Sequence, residues 1–404
     1  MNFRYDPFDA DVMANPLPYY RTLRDEHPVY YMPQWDTYAL SRFDDIWRVL
    51  EVNDGTFVAS EGTLPAASVL AKHNAGPVDD PPLHPLPFHA VFGAELYGAI
   101  RRAHSQPLRP RSVAALEGRI RALANERLDL LLPRGSFDLT QDYGGIVVAS
   151  VVCELLGIPT DLAPRVLAAV NAGSLAEPGV GVDTAESRPN YFEYLVPSVR
   201  RRRAESDGLP GLPIVDGLLG YRLPDGSALD DVEVATQMLC IFIGGTETVP
   251  KIVAHGLWEL GRRPDQMAAV CADPDTNVPI VREEMIRFCA PAQWFARTAR
   301  KPFAIHDQTI RPGQRIITLL ASAARDEREY PDPDDFVWNR PIRRSLAFGR
   351  GQHFCIGYHL ARLEIDVLLG EWLRRVPDYA INGDAATRLP SSFQWGWNKI
   401  PVEV

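Results

Sequence analysis

The chain has 404 residues, of which 46% are hydrophobic, so it is long enough to bury a substantial core. Its formal net charge of −10 argues against a nucleic-acid partner, because phosphate contacts require a basic face. The five cysteines are scattered and include no C-x-x-C pair. This argues against a disulfide framework and a zinc site, and it favours a reducing cytoplasm.

Membrane attachment and export are not expected either. The longest apolar stretches, such as Ile146–Val152 and Met238–Ile243, are far shorter than the roughly 20 residues that span a bilayer. The N-terminus lacks the charged start and apolar core of a signal peptide. No repeat, low-complexity tract or Gly/Ser linker divides the chain, so we predict a cytoplasmic protein whose residues 1–404 form a single domain.

The predicted elements make the chain mainly α with small β-sheets. Short strands are predicted at Val29–Met32, Thr37–Leu40, Phe303–Ile305 and Arg315–Leu319. Helices are predicted over Val113–Leu132, Gln141–Leu156, Asp230–Leu260, Val278–Cys289 and Ile356–Arg375. The second of these helices is apolar nearly all round, which indicates a buried element. Asn277 is expected to cap the fourth, and Pro250, which has no N–H, is expected to open or kink the third.

One glycine-rich segment stands directly before the last predicted helix and reads Phe348-Gly349-Arg350-Gly351-Gln352-His353-Phe354-Cys355-Ile356-Gly357. A cysteine at a helix N-terminus is favoured as a thiolate, because free backbone N–H groups and the helix dipole stabilise negative charge there. The glycines allow a tight loop and let the backbone approach a flat group. The simpler alternative is an ordinary buried cysteine, since free cysteines mostly behave as small hydrophobes.

The pattern F-G-x-G-x-H-x-C-x-G of this segment resembles the haem-binding signature of the cytochrome P450 family. The resemblance spans essentially the whole chain, and the supporting motifs occur in family order. It implies the cytochrome P450 fold, a mostly helical prism that encloses haem b. It also implies that Cys355 is the metal ligand, with Phe348, Gly349, His353 and Gly357 around the cofactor.

Glu284 and Arg287 lie three residues apart and therefore share one helix face. On spacing alone, such a pair is usually solvated and contributes only a few tenths of a kcal/mol. Their place in the chain, upstream of a D-F-V-W-N-R segment, resembles the family's E-x-x-R pair, which a later arginine joins. The resemblance therefore implies that Glu284, Arg287 and Arg340 form a buried structural network without direct chemistry.

The long predicted helix contains Gly244-Gly245-Thr246-Glu247-Thr248 at its centre. This composition is unfavourable, because each glycine costs about 1 kcal/mol relative to alanine in a helix. One explanation is a packing notch for a neighbouring helix. The segment also resembles the family's G-G-x-[DE]-T, where a distorted helix makes room for dioxygen. The resemblance implies that Gly244 borders the cofactor and that Glu247 and Thr248 are catalytic residues that supply protons.

Haem carries two propionates, and buried carboxylates need cationic or hydrogen-bonding partners. The resemblance assigns this role to His353, Arg297, Arg101 and Tyr97, the last two in an early helix with the family pattern H-x-x-x-R. Tyrosine replaces the family's histidine at position 97, and it can donate one hydrogen bond but carries no positive charge. Ser345 also stands where bacterial relatives often have histidine, so the propionate network departs from the usual one.

The segment Asp79–Pro85 looks like the D-P-P-x-H motif that leads into the same early helix, although it lies well upstream of the expected place. Either the loop carries an insertion or the likeness is accidental. We expect an unusual substrate-covering loop over Phe57–Leu96, with His84 and His89 in the loop or on the surface rather than on the iron.

The substrate pocket is assigned by position within the family pattern. Its predicted lining residues are Cys240, Ile243, Gly244, Gln293, Phe295 and Trp395. This lining is apolar and aromatic with one amide, as small-molecule sites usually are. It predicts a compact aromatic, terpenoid or polyketide-like substrate.

The resemblance implies a haem-thiolate monooxygenase that inserts one oxygen atom of O2 into a small hydrophobic molecule, by hydroxylation or O-dealkylation. Electrons are expected from a separate ferredoxin and an NAD(P)H-dependent ferredoxin reductase. A cationic face that steers such a partner is expected from Arg101, Arg102, Arg343, Arg344 and Arg350. Two alternatives stay open, a peroxygenase driven by hydrogen peroxide and a haem-binding sensor without turnover. The Glu247–Thr248 pair argues against both, because peroxygenases of this family tend to lose it and a sensor needs no proton relay.

Overall fold

The computed structural model describes residues 3–63, 66–71, 94–179, 190–205 and 211–404. Within these ranges the helices, named α1 to α16 in chain order, are Ala10–Ala14, Leu17–Glu26, Phe43–Glu51, Ala67–Leu70, Ala94–Ser105, Pro110–Ala114, Glu117–Leu131, Ile146–Leu156, Ala163–Gly173, Phe192–Ala204, Pro213–Gly220, Asp231–Gly261, Pro264–Ala272, Pro274–Cys289, Leu320–Ala323 and Tyr358–Arg375. A π-helical turn over Leu139–Gly145 leads directly into α8. The fold is therefore mainly helical.

The strands are short and belong to small sheets. Named β1 to β12 in chain order, they are Val29–Met32, Thr37–Leu40, Phe57–Val58, Ser136–Asp138, Trp294–Ala299, Phe303–Ile305, Gln308–Ile310, Arg315–Leu319, Ala380–Ile381, Thr387–Arg388, Trp397–Lys399 and Pro401–Glu403. The largest sheet has the order β1-β2-β8-β5-β3, in which only the β2–β8 pair is parallel. The predicted strands agree with β1, β2, β6 and β8.

The long helix α12 is the central element of the helical part. It begins with a capping box, in which the Asp230 carboxylate accepts from the Glu233 amide at 2.8 Å and Glu233 accepts from the Asp230 amide at 2.7 Å. Its flanks pack against α8, α10, α14 and α16, and most of its side chains are buried. Because these neighbouring helices hold α12 in place, the few accessible residues of α12 also have fixed positions.

Two predicted helices had the wrong bounds, and one predicted cap was wrong. The segment predicted as Val113–Leu132 is divided into α6 and α7, and α14 begins at Pro274 rather than Val278. The carboxylate of Asp273, not Asn277, caps α14 by accepting from the Thr276 amide at 3.3 Å. Asn277 instead donates to the Ala269 carbonyl at 2.9 Å.

The break expected at Pro250 is not found, because α12 continues as a helix from Asp231 to Gly261. The backbone of Gly144 lies directly against this position, since a Cβ built on Gly144 would be 3.1 Å from the Pro250 Cα. The π-helical turn therefore packs against α12 at Pro250, the residue that has no backbone N–H to donate.

One segment, Leu139–Leu156, has the length and composition of a membrane-spanning helix, and 72% of it is buried inside the protein. Burial to this degree is what a core helix requires, as the all-round apolar pattern predicted. By length and composition alone this is weak evidence for a membrane span. Of the predicted Phe57–Leu96 loop, the motif Asp79–Pro85 and both His84 and His89 lie outside the described residues.

Candidate functional site

Cys355 lies in the loop that leads into α16. Its amide donates to the Phe348 carbonyl at 2.9 Å, which closes the loop around the sulfur. Gly349 has a φ of +68°, a left-handed conformation that glycine adopts without strain, so the tight turn depends on it. Burial raises the pKa of the Cys355 thiol, while the Gly357 amide that donates to the sulfur and the nearby Arg101 guanidinium act in the opposite direction. The thiolate thus has backbone and cationic partners at the helix N-terminus.

The opposite wall of the site is the middle of α12. Gly244 is exposed there, although α12 is buried along most of its length, and a Cβ built on it would meet no heavy atom within 4 Å. One turn further, the Thr248 hydroxyl donates to the Gly244 carbonyl at 2.9 Å. Cys240, Ile243 and Thr248 are also partly exposed on this side. Gly244 therefore faces an open cavity, whereas a Cβ built on Gly245 would lie 3.0 Å from Cγ2 of Val152 in α8, so this second glycine packs against a neighbouring helix.

The cysteine loop and α12 face each other across this cavity. Burial raises the pKa of the Cys240 thiol to about 12, and the proximity of Cys355 adds to the effect. Cys240 of α12 and Ile356 of the loop both pack on Ile100 of α5. A flat group between Gly244 and Cys355 is thus enclosed by three elements, and these residues fit haem.

The residues predicted for the propionates lie on three elements. Arg101 of α5 donates to the Phe354 carbonyl, next to Cys355. Arg297 of β5 is only 9% exposed, and its Nη1 donates to the Ala296 carbonyl at 2.7 Å. His353 ends a short 3-10 turn directly before Phe354. Tyr97 belongs to α5, but its side chain lies outside the described atoms.

Glu284, Arg287 and Arg340 come together in one buried network. Arg287 donates twice to the Glu284 carboxylate, at 2.7 Å each, and Arg340 donates to the same carboxylate at 3.2 Å. Both guanidiniums also donate to the Asp335 carbonyl, at 3.0 and 2.9 Å. Because Glu284 is 1% exposed and Arg287 also 1%, this network links α14 to the irregular Tyr330–Pro341 segment and has no accessible face for chemistry.

The predicted substrate residues do not all behave alike. Phe295 is partly exposed, 5.7 Å from the ring of Phe393. Trp395 is 9% exposed, and its ring stacks on the Arg388 guanidinium at 3.8 Å. Gln293 differs, because its oxygen accepts from the Tyr20 hydroxyl at 2.8 Å and its nitrogen donates to the Ser391 carbonyl at 3.0 Å. Because both ends of its amide are bound within the protein, this geometry favours a structural role for Gln293 over the predicted contact with a substrate.

Glu247 has neighbours that the sequence reasoning missed. Its Oε1 accepts from the Ser174 hydroxyl at 2.6 Å and from the Gln394 amide, and its Oε2 lies 2.9 Å from the Lys251 ammonium. The spacing of four residues places Glu247 and Lys251 on one helix face but does not show that this face is buried. Ser174 and Gln394 are distant in sequence and offered no signal.

Comparison with known proteins agrees with this site. The cytochrome P450 family model matches residues 183–376. Cytochrome P450 130 of Mycobacterium tuberculosis is 30% identical over 394 residues, covering 94% of this chain and 93% of the relative. The solved structure of cytochrome P450 CYP109Q5 from Chondromyces apiculatus superposes with a TM-score of 0.80 at 29% identity, covering 99% of this chain and 97% of that one. A mutant of P450 EryK in complex with erythromycin B gives a TM-score of 0.80 at 26% identity, covering 98% and 97%.

The chain belongs to the cytochrome P450 family. It is therefore a haem-dependent monooxygenase, an oxidoreductase that uses dioxygen, an organic substrate and redox partners. The predicted cysteine, Cys355, lies two residues before Gly357, the N-cap of α16, because this helix begins at Tyr358 rather than at Ile356.

Proposed function

We propose that this monooxygenase hydroxylates or O-dealkylates a small hydrophobic substrate, with electrons from a ferredoxin and an NAD(P)H-dependent ferredoxin reductase. The cofactor is haem b, residues 1–404 form one catalytic unit, and the compartment is the cytoplasm. The observation that carries the proposal is the Gly244–Thr248 turn of α12, in which Gly244 and the Thr248 hydroxyl are accessible on the side of Cys355 and the buried Glu247 follows directly behind.

Haem, when bound, supplies the redox chemistry that activates dioxygen. Cys355 is the protein ligand, and the Gly357 amide stabilises its thiolate charge. Arg101, Arg297 and His353 hold the propionates through charge-assisted hydrogen bonds, to which Tyr97 adds a neutral donor. Phe348 lies on the cysteine side, 4.9 Å from the ring of Tyr358, and excludes water from the sulfur.

Thr248 and Glu247 deliver protons to the reacting oxygen. The Thr248 hydroxyl donates its hydrogen bond to the Gly244 carbonyl at 2.9 Å. Its oxygen can therefore accept a hydrogen bond from a group in the cavity. Glu247 is 2% exposed and lies behind Thr248, where it can exchange protons with the cavity through a relay.

The substrate contacts Cys240, Ile243, Gly244, Phe295 and Trp395. Four of these present apolar or aromatic surface, and Gly244 leaves room above the reacting centre. An apolar lining of this kind favours compact aromatic, terpenoid or polyketide-like molecules. P450 EryK has the same fold at 26% identity, and a mutant of it was solved in complex with erythromycin B. This supports polyketide-like molecules as candidate substrates.

The ferredoxin docks on the cysteine side. Arg350 and Phe354 line a cavity of about 570 Å³ next to the cysteine loop, and Arg101 reaches the Phe354 carbonyl. Acidic residues are mixed with the arginines, because Arg350 pairs with Glu51 at 2.7 Å and Arg344 pairs with Asp44 at 3.0 Å. Arg102 and Arg343 complete the expected cationic face. An acidic ferredoxin would compete with these internal partners, so its binding should weaken as ionic strength rises.

The first test is the difference spectrum of the reduced, carbon monoxide-treated protein. We expect a Soret band in the thiolate position for the wild type and for Cys271→Ala, an exposed cysteine that serves as the control. The same band should be lost in Cys355→Ala. A wild type without haem, or with a spectrum typical of a histidine ligand, would refute the assignment.

The second test separates the three functional alternatives. Product formation driven by NAD(P)H, ferredoxin and reductase is compared with that driven by hydrogen peroxide, in the wild type, Glu247→Gln and Thr248→Ala. The proposal predicts ferredoxin-driven product in the wild type and a loss of roughly 10²-fold in each variant, with peroxide-driven product retained. Product formation with hydrogen peroxide but not with ferredoxin would indicate a peroxygenase. No product under either condition, with any substrate, would indicate a sensor.

A further inference from the structure

A buried lysine contacts the carboxylate of Glu247, and the reaction described above gives that lysine no role. Lys251 follows Glu247 by one turn of α12, and its ammonium lies 2.9 Å from Oε2. The side chains of both residues are 1% exposed. Within the described ranges this is the one ion pair that Lys251 forms. Burying both charges is costly, so the pair is not an ordinary surface contact between helix neighbours.

The second oxygen of Glu247 is held from two other elements. Ser174, at the C-terminal end of α9, donates its hydroxyl at 2.6 Å, and Gln394, in the segment after β10, donates its amide. The Oε1 of Gln394 is buried without a partner among the described groups, so its only side-chain hydrogen bond there is the one to Glu247. Three donors from three parts of the chain therefore fix the position of one carboxylate.

None of these donors is Thr248, whose hydroxyl donates to the Gly244 carbonyl. Glu247 is thus directed away from the cavity in this structure. A carboxylate at 2% exposure would be strongly driven to take up a proton if it had no cation beside it. Lys251 supplies that cation, so it favours the ionised form of the acid.

We propose that Lys251 is a positioning residue for proton delivery, which keeps Glu247 ionised and directed towards Ser174 and Gln394 between turnovers. The Glu247 carboxylate accepts a proton from a hydronium ion of the solvent, which becomes water, and the neutral acid loses its attraction to Lys251. It then donates the same proton towards Thr248 and returns to the ionised, lysine-bound position. This inference rests on the proposed role of Glu247.

The first experiment measures the ionisation of Glu247 in the haem-loaded protein. Lys251→Met keeps the length and apolar stem of the lysine but removes its charge. Infrared difference spectra at neutral pH should show a protonated carboxyl band that the wild type lacks and that disappears in Lys251→Met/Glu247→Gln. Lys251→Gln, which keeps a hydrogen-bond donor, carries the same expectation if the methionine variant does not fold.

The second experiment measures coupling. Product formed per NAD(P)H consumed should fall roughly tenfold or more in Lys251→Met, because the carboxyl group then lacks the cation that holds it in position for proton transfer. Peroxide-driven product should stay near the wild-type level, since hydrogen peroxide brings its own protons. The double variant Lys251→Met/Glu247→Gln should be no worse than Glu247→Gln alone, as two residues acting through one step are not additive.

Arg263→Met is the matched control, because Arg263, the residue before α13, pairs at the same four-residue spacing with Glu259 of α12. It should leave coupling unchanged. An unaltered infrared spectrum together with wild-type coupling in Lys251→Met would overturn the inference. If Glu247→Gln itself leaves coupling intact, the proposed role of Glu247 fails. If Glu247→Gln uncouples and Lys251→Met does not, only the inference about Lys251 fails.

Discussion

The side chain of Gln293 shows how a buried amide joins distant parts of the chain. It lies between Tyr20 of α2 and Ser391 near the C-terminus, and it is 3% exposed. Replacing it by leucine leaves the Tyr20 hydroxyl and the Ser391 carbonyl without these partners. We expect Gln293→Leu to lower the free energy of unfolding by about 1–3 kcal/mol, as measured by denaturant titration.

Gln34 provides the control, because its amide donates a hydrogen bond as well, to the Asp6 carboxylate at 3.2 Å, but this side chain is exposed. Gln34→Leu should change the free energy of unfolding by no more than about 0.5 kcal/mol. Substrate-induced spectral shifts should be the same in Gln293→Leu and the wild type. A variant with unchanged stability and altered substrate affinity would restore Gln293 to the pocket.

At the residue scale, the sequence allowed prediction where the chemistry depends on neighbours along the chain. Cys355 was predictable because its loop, its glycines and its helix N-terminus are contiguous. Lys251 was not, although its spacing from Glu247 is regular. Charged residues four apart on a helix usually face solvent. The local sequence pattern does not indicate that other parts of the chain cover this face of α12.

At the element scale, two glycines of α12 lie in opposite environments. A Cβ on Gly244 would meet no heavy atom within 4 Å, whereas one on Gly256 would lie 2.7 Å from Cγ and 2.8 Å from Sδ of Met285 in α14. Alanine favours a helix by about 1 kcal/mol over glycine, and overpacking costs about 1–3 kcal/mol. Unfolding of the haem-free chain should therefore show Gly244→Ala as neutral or stabilising and Gly256→Ala as destabilising.

The functional effects of the two substitutions should be reversed. Gly244→Ala places a methyl group in the cavity beside Thr248, so we expect lower product yield per NAD(P)H or weaker substrate binding. Gly256→Ala lies three turns away, facing α14, and should retain both per molecule of folded enzyme. Equal losses of stability in both variants would mean that the Gly244 notch is a packing contact.

Element boundaries were harder to predict than element types. The helix α14 has a proline at its first position, Pro274, and a capping carboxylate at Asp273, a start signal as good as the one chosen at Asn277. The division between α6 and α7 has no proline or glycine to mark it. In α12, the packed π-helical turn maintains the helix across Pro250, and such a tertiary contact overrides local preference.

At the scale of the whole molecule, the sequence could not specify which faces meet. The central sheet joins β2 to β8, strands separated by most of the chain, and Glu247 collects donors from α9, α12 and the C-terminal segment. The family resemblance supplied the order of these elements. The residues alone gave only their type, because period and composition describe a segment and not its neighbours.

The stability of the assembled molecule should also depend on the contact between α14 and α16. Asp366 of α16 pairs with Arg282 of α14, which also pairs with Glu283 at 2.8 Å, and Glu283 pairs with Arg362. Burial raises the pKa of Asp366 from 3.8 to about 6, although Arg282 opposes the change. The folded state therefore binds a proton more readily than the unfolded state does.

For a carboxyl group with a raised pKa, stability is highest when the proton is bound and is lost as pH rises towards the folded-state value. Between pH 4.5 and 7 this group should remove about 2 kcal/mol from the free energy of unfolding.

Asp366→Asn cannot ionise at this position, so its free energy of unfolding should lack this loss and should rise relative to that of the wild type over the same pH range. Urea titrations at several pH values measure the difference. The pKa of Glu259 is lowered from 4.5 to about 2, and the effect of this shift on stability is the same in wild type and Asp366→Asn, so it cancels in the comparison. Parallel pH profiles for wild type and Asp366→Asn would show that Arg282 keeps Asp366 ionised and that the contact between α14 and α16 is an ordinary ion pair.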